Sequence, residues 1–184
     1  MSTSEKIAES ALQLFYRQGY HGTGVEQLSQ EAGVTKKTLY RHFPSKELLI
    51  EAALERRDHD FMARLQSALA AVEAKARPLA YIDFIEAWAR SEDFYGCAFI
   101  NASAEYAGPA EPPHVLARLH KDKVMAALEQ ACQQAGCKQG AAQQLFLLGE
   151  GLIVASQVGG VQVPLFEAAR LIVAALAYRS IPQI

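Results

Sequence analysis

The chain has 184 residues, 51% hydrophobic and 21% charged, with 18 Lys+Arg against 20 Asp+Glu. That balance excludes a disordered chain, and a net charge of −2 excludes a generally basic coat, so any affinity for nucleic acid must come from a local patch. The length allows one large domain, or a small domain joined to a larger one.

Helix signals recur along the chain and strand signals are nearly absent. Ile7, Ala11, Leu14 and Phe15 fall at i, i+4, i+7 and i+8, one face of a first helix. Ser2 and Glu5 have capping-box spacing at its start, and Gly19 is placed to end it. Thr23-Gly24-Val25-Glu26 repeats that spacing and predicts a short helix through about Ala32. Gly33 supplies a turn, and Thr35 caps a third helix over Lys36 to His42. Pro44-Ser45 stops that helix and starts a fourth, from about Lys46 to Lys75, with Leu48, Leu49, Ala52, Leu65, Leu69 and Val72 as apolar members. Unbroken, it would be about 45 Å long, enough to belong to both a small head and a larger body.

Further helices are predicted after Arg77-Pro78 to about Arg90, from about Cys97 to Tyr106, and over Val115 to Ala135. Gly96 breaks the first two, and Gly108 to Pro113 is a loop. Two last segments, Ala141 to Val158 and Leu165 to Tyr178, are separated by "GGVQVP". The expected fold is all-α with about nine helices. A three-helix head, residues 1–46, is joined through the fourth helix (about 46–75) to a helical body within 47–184.

The stretch "VTKKTLYRHFPSK", Val34 to Lys46, gathers Lys36, Lys37, Arg41 and Lys46 with no acidic residue. Such a run is also what a solvated helix face looks like. Here it sits on the second of two capped helices joined by a short turn, the helix-turn-helix arrangement. Leu28, Ala32, Val34 and Leu39 are placed to pack these helices onto the first. Lys36, Lys37, Thr38, Arg41 and His42 are left facing outward. A helix entering the major groove needs cations and hydroxyls without carboxylates, because a duplex presents a dense line of phosphates.

"GYHGTGVEQLSQEAGVTKKTLYRHFPSKELLIEAAL" resembles the DNA-binding head of the TetR family of bacterial transcriptional regulators. The matching elements are Gly19-Tyr20, Thr23, Leu28, Ala32-Gly33-Val34, Thr38-Leu39-Tyr40, His42-Phe43 and Ser45 to Leu49, within about residues 4 to 54. The resemblance implies that Thr23 caps the second helix and donates to a phosphate. It implies that Tyr40 reaches the DNA backbone through its hydroxyl and that Lys46 pairs with another phosphate. Thr35, Lys36, Lys37 and Thr38 become the candidates for base edges, with Arg41 and His42 facing either the backbone or helix packing. Gly24 replaces the hydroxyl residue usual after the threonine, which removes one expected phosphate contact.

The resemblance also implies a homodimer whose last two helices form a four-helix interface. From Gly140 to Arg179 only Glu150, Glu167, Arg170 and Arg179 are charged. Small residues (Ala141, Ala142, Gly149, Gly151, Ala155, Ala168, Ala169 and Ala175) would let helices approach closely, although two core helices would read the same way. A twofold dimer would read a near-palindromic duplex with recognition helices roughly 34 Å apart.

The body is expected to bind a small-molecule effector. Its aromatic candidates are Phe61, Phe84, Trp88, Phe99 and Phe146, each also readable as ordinary core. Its polar candidates, set among apolar neighbours, are Asn101, Glu105 and Glu150; a buried carboxylate needs a partner, so each glutamate is a structural anchor or a ligand contact. Cys97 opens a predicted helix, where backbone N–H groups lower a thiol pKa, and is the candidate for redox modification, the plainer reading being a small buried residue.

Cys97, Cys132 and Cys137 lack paired spacing, and the five histidines offer no ligand spacing, so neither metal nor cofactor is expected. "MSTSEKIAESALQLF" lacks signal architecture, and no apolar run reaches the roughly 18 residues of a membrane span; the expected location is cytoplasmic. No nucleophile elbow, phosphate loop or dinucleotide fingerprint supports an enzyme. The reading is a regulator of transcription, a repressor released from a palindromic operator by a small ligand or by modification of Cys97.

Overall fold

A computed structural model describes residues 2–177, and among them every regular element is helical. The nine α-helices are α1 (Thr3–Gln18), α2 (Val25–Glu31), α3 (Lys36–His42), α4 (Lys46–Ala70), α5 (Arg77–Ala89), α6 (Ala98–Glu105), α7 (Pro112–Ala135), α8 (Ala141–Gly159) and α9 (Val163–Ala177). No helix among the described residues is long and apolar enough to cross a membrane.

Local chemistry explains most boundaries. Ser2 and Glu5 form the reciprocal capping box of α1, and the Gly19 N–H closes its end on the Phe15 carbonyl at a φ of 84°. The cap of α2 differs from expectation. Gly24 is its N-cap, because the Thr23 hydroxyl donates to the Gly19 carbonyl at 2.6 Å and is not available to the helix. Helix α4 ends at Ala70 instead of near Lys75. Glu73 is extended, and a single 3₁₀ turn (Ala74–Ala76) leads into α5, where Pro78 suits the first turn because it has no N–H to place. The 25 residues of α4 span about 37 Å. Proline has the same effect at α7, which starts at Pro112 rather than Val115, and α9 opens at Val163 with Pro164 behind it. The expected end of the last helix at Tyr178, and Arg179 beyond it, lie outside the described residues.

The described residues form two compact units. One combines the chain up to Phe61 with Cys97–His120, and the other combines Met62–Gly96 with the chain from Lys121. In the first, Ile7, Ala11, Leu14 and Phe15 are buried as their spacing predicts, and so are Leu28, Ala32, Leu39, Leu49, Ile50 and Leu54, with α1 packing on α2 and α2 on α3. Val34 is only half-buried.

In the second unit α5 packs on α8 and α9. Arg170 of α9 reaches back to Asp83 at 2.7 Å and to Glu86, which also accepts from Arg90. Hydrogen bonds from Arg170 and then Arg90 hold the Glu86 carboxyl below the usual carboxylate range. The predicted small-residue stripe of α8 and α9 divides here. Ala141, Ala142, Gly149 and Ala169 are buried inside the unit, whereas Gly151, Ala168 and Ala175 are exposed.

Gly149 is required by the packing, since a Cβ there would lie 2.6 Å from Cζ of the buried Tyr81 ring. Gly149→Ala is therefore expected to lower stability by about 1–3 kcal/mol in chemical denaturation, overpacking outweighing the helix propensity gained. A variant as stable as the parent would mean that Tyr81 moves freely.

Candidate nucleic-acid interface

The positive φ of Gly33 (65°) turns the chain between α2 and α3, while the Val34 N–H closes on the Ser29 carbonyl at 2.9 Å. Thr35 then caps α3, its hydroxyl accepting from the Thr38 N–H at 3.1 Å and lying 3.0 Å from the Thr38 hydroxyl. This cap and the absence of acid from the first turn of α3 leave its N-terminal end dipole-positive and cationic.

Leu39 is fully buried and fixes which side of α3 faces in. At 100° per residue Lys36, Lys37, Tyr40 and Arg41 then occupy an arc of about 140° on the other side, and all four are exposed. Thr38 and His42 lie beyond the Arg41 edge of that arc, towards Leu39, half-buried. Lys36 pairs with Glu26 of α2 at 3.2 Å. Both side chains are exposed, so the pair is worth well under about 1 kcal/mol and gives way readily to a phosphate. Ser45 caps α4 by accepting from the Leu48 N–H at 3.2 Å, which sets Lys46 in its first turn. The Lys46 ammonium donates to the His21 carbonyl at 3.3 Å, tying the start of α4 to the corner between α1 and α2.

Thr23 does not join this surface. Its side chain is fully buried and its hydroxyl is spent on Gly19, so it braces the α1–α2 corner rather than donating to a phosphate. The other sequence-derived candidates, Thr35, Lys36, Lys37, Thr38, Tyr40, Arg41, His42 and Lys46, lie on α3 or at the ends of the turns flanking it.

The expected ligand contacts are divided between the two units. Phe61, Phe99, Asn101 and Glu105 belong to the first unit, and Phe84, Trp88, Phe146 and Glu150 to the second. Glu105 is committed elsewhere: its carboxylate accepts from the backbone N–H of Tyr20 at 2.9 Å and of His21 at 2.6 Å, with the His21 ring at 3.0 Å. Burial alone would raise this carboxyl, but the His21 and Tyr20 N–H groups and the His21 ring outweigh it and hold it below the usual range. Glu150 pairs with Lys121 at 2.7 Å, again an anchor. Cys97 is the N-cap of α6 and is buried, with little of the access that a sensing thiol needs.

Sequence reasoning missed His120. It is buried on α7, 2.7 Å from Asp58, stacked on Phe99 at 3.8 Å and met edge-on by Phe61 at 5.0 Å. Asp58 and His120 are 62 positions apart, and neither carries a local pattern that announces the other.

Residues 7–53 match the family model described as bacterial regulatory proteins, tetR family. Over 148 residues, 76% of each chain, the sequence is 28% identical to the HTH-type transcriptional regulator LmrA of Bacillus subtilis. SCO4454, a TetR-family transcriptional regulator from Streptomyces coelicolor, superposes with a TM-score of 0.86 at 30% identity, over 95% of this chain and 94% of that one. The reduced form of NemR from Escherichia coli superposes with a TM-score of 0.84 at 25% identity, over 95% and 96% of the two chains.

Proposed function

The chain belongs to the TetR family of transcriptional regulators, and from that premise we propose a homodimeric repressor released from a near-palindromic operator by a small-molecule effector. The observation that carries this reading is the exposed arc of Lys36, Lys37, Tyr40 and Arg41 on a capped, acid-free helix, held outward by buried Leu39. Tyr40 and Lys46 contact the DNA backbone, and the leading turn of α3 reads base edges. Residues 1–46 carry DNA binding and 47–184 carry effector binding and dimerisation, with α4 as the link. An effector acts by favouring one spacing of the two heads, and its effect cannot exceed its difference in affinity between spacings.

Dimerisation is supported by the apolar side chains that α8 and α9 leave in solvent: Leu147, Val154 and Val158 on α8, and Val163, Leu165, Leu171 and Ile172 on α9. Single exposed leucines are ordinary, but seven large apolar residues on two adjacent helices are a surface waiting to be covered.

Selection of duplexes from a random pool tests the reading. The expected result is one enriched near-palindrome which, placed over a promoter, lowers expression of a reporter when the protein is present. Enrichment of nothing at low salt would end the reading. A rise in reporter expression would make the protein an activator.

A further inference from the structure

Glu105 ends α6, yet every donor to its carboxylate comes from the corner between α1 and α2, 84 and 85 positions earlier. Oε1 accepts from the Tyr20 N–H, and Oε2 accepts from the His21 N–H and faces the His21 ring. The carboxylate is in effect an anion cap on a turn whose N–H groups no helix satisfies. The other end of α6 meets the same corner, because the buried Tyr20 hydroxyl donates to the carbonyl of Ala98 at 2.9 Å. The His21 ring lies over Tyr106, the residue after Glu105, with centroids 4.7 Å apart. The fit is close: a Cβ on Gly19 would stand 2.9 Å from Oε1.

The corner thus joined to α6 is not passive. It leads into α2, which supports α3, and the His21 carbonyl holds Lys46 at the start of α4. We infer that Glu105 is a positioning residue for duplex binding, fixing α6 to the α1–α2 corner so that α2 and α3 are presented at a set angle. The inference rests on the regulator reading and deepens it. It assigns to one carboxylate the attachment between the DNA-reading helices and the helix that begins at Ala98. A relative shift of about 1 Å along that contact takes a charge-assisted hydrogen bond out of its working range. The attachment therefore responds in steps rather than by gradual strain.

Glu105→Gln keeps the shape but turns an amide NH₂ towards a backbone N–H. On the duplex enriched by the wild type it is expected to bind roughly tenfold more weakly, with the salt dependence of binding unchanged because no phosphate contact is lost. Amide exchange of Tyr20 and His21 should accelerate in the variant, while that of the α3 amides stays as in the wild type. A purely structural role would lower the melting temperature and leave the affinity of the folded protein intact. Tyr20→Phe, which removes only the hydroxyl bond at the other end of α6, should weaken binding in the same sense.

Affinities within twofold of wild type for both variants would overturn the proposal. Should Glu105→Gln fail to fold, the wild type still decides: unprotected Tyr20 and His21 amides would overturn the attachment without any variant, and protected ones together with weakened binding by Tyr20→Phe would support it. If the wild type enriches no duplex, the regulator reading fails and the positioning role with it, while amide protection reports the contact separately.

Discussion

Reversing two charges, Lys37→Glu with Arg41→Glu, is expected to weaken binding to the enriched duplex by at least about 100-fold at roughly 0.1 M salt. Both side chains are exposed on the arc opposite Leu39, and among the described residues neither makes an ion pair that is lost with the substitution. The effect has two parts. Each lost cation forgoes the release of a counterion from the duplex, and each new carboxylate meets the phosphate line at close range. Removing two cations per head from the duplex-facing surface should also flatten the dependence of log K on log salt. Stability should stay within about 0.5 kcal/mol, because nothing buried is touched. Fluorescence anisotropy over a salt series measures both quantities. Binding within threefold of wild type, with the slope intact, would move the duplex-facing surface away from α3.

The second large effect lies at the other end of the chain. Leu171→Glu is expected to turn the proposed homodimer into monomers at micromolar concentration, read by sedimentation, and to abolish high-affinity binding to the enriched duplex with it. Leu171 is 74% exposed on α9 and Leu147 69% exposed on α8, so neither contributes much to the fold of its own protomer. Covered by a twofold partner, each buries a side chain worth about 2 kcal/mol, and the symmetry of the interface counts each substitution twice. A carboxylate placed there must be desolvated without a cation, which costs several kcal/mol more. Glu167 and Arg170 are the only charged groups on α9, and Arg170 is already engaged by Asp83 and Glu86. A Leu171→Glu protein that remains dimeric would show that α9 does not form the interface, even if the α3 reading survives.

Periodicity and local chemistry made some features of this molecule legible and hid others. The capping box of Ser2 and Glu5, the buried stripe of α1 and the Thr35 cap were all readable, because each involves residues within one or two helical turns. The starts of α7 and α9 were misplaced by two or three residues. Proline there marks a loop to sequence reasoning, whereas it also fits a first turn. Thr23 was misread for a sharper reason. Its hydroxyl had two acceptable partners, and the one it takes, the Gly19 carbonyl, is offered only once Gly19 adopts its positive φ.

Glu105 and Glu150 were visible as polar residues in apolar runs, but not what they bind: partners in the α1–α2 corner for one and Lys121 for the other. The sequence by itself determined the helical class, the helix-turn-helix head and the outward set of cations on α3. Those follow from interactions with a range of four or five residues, and from the need to bury one side of each helix. Only the tertiary structure decided which small residues of α8 and α9 are already used, that His120 pairs with Asp58, and that the end of α6 holds the head by Glu105. Those depend on which distant groups meet when helices pack, and a buried carboxylate or imidazole states only that some partner is needed.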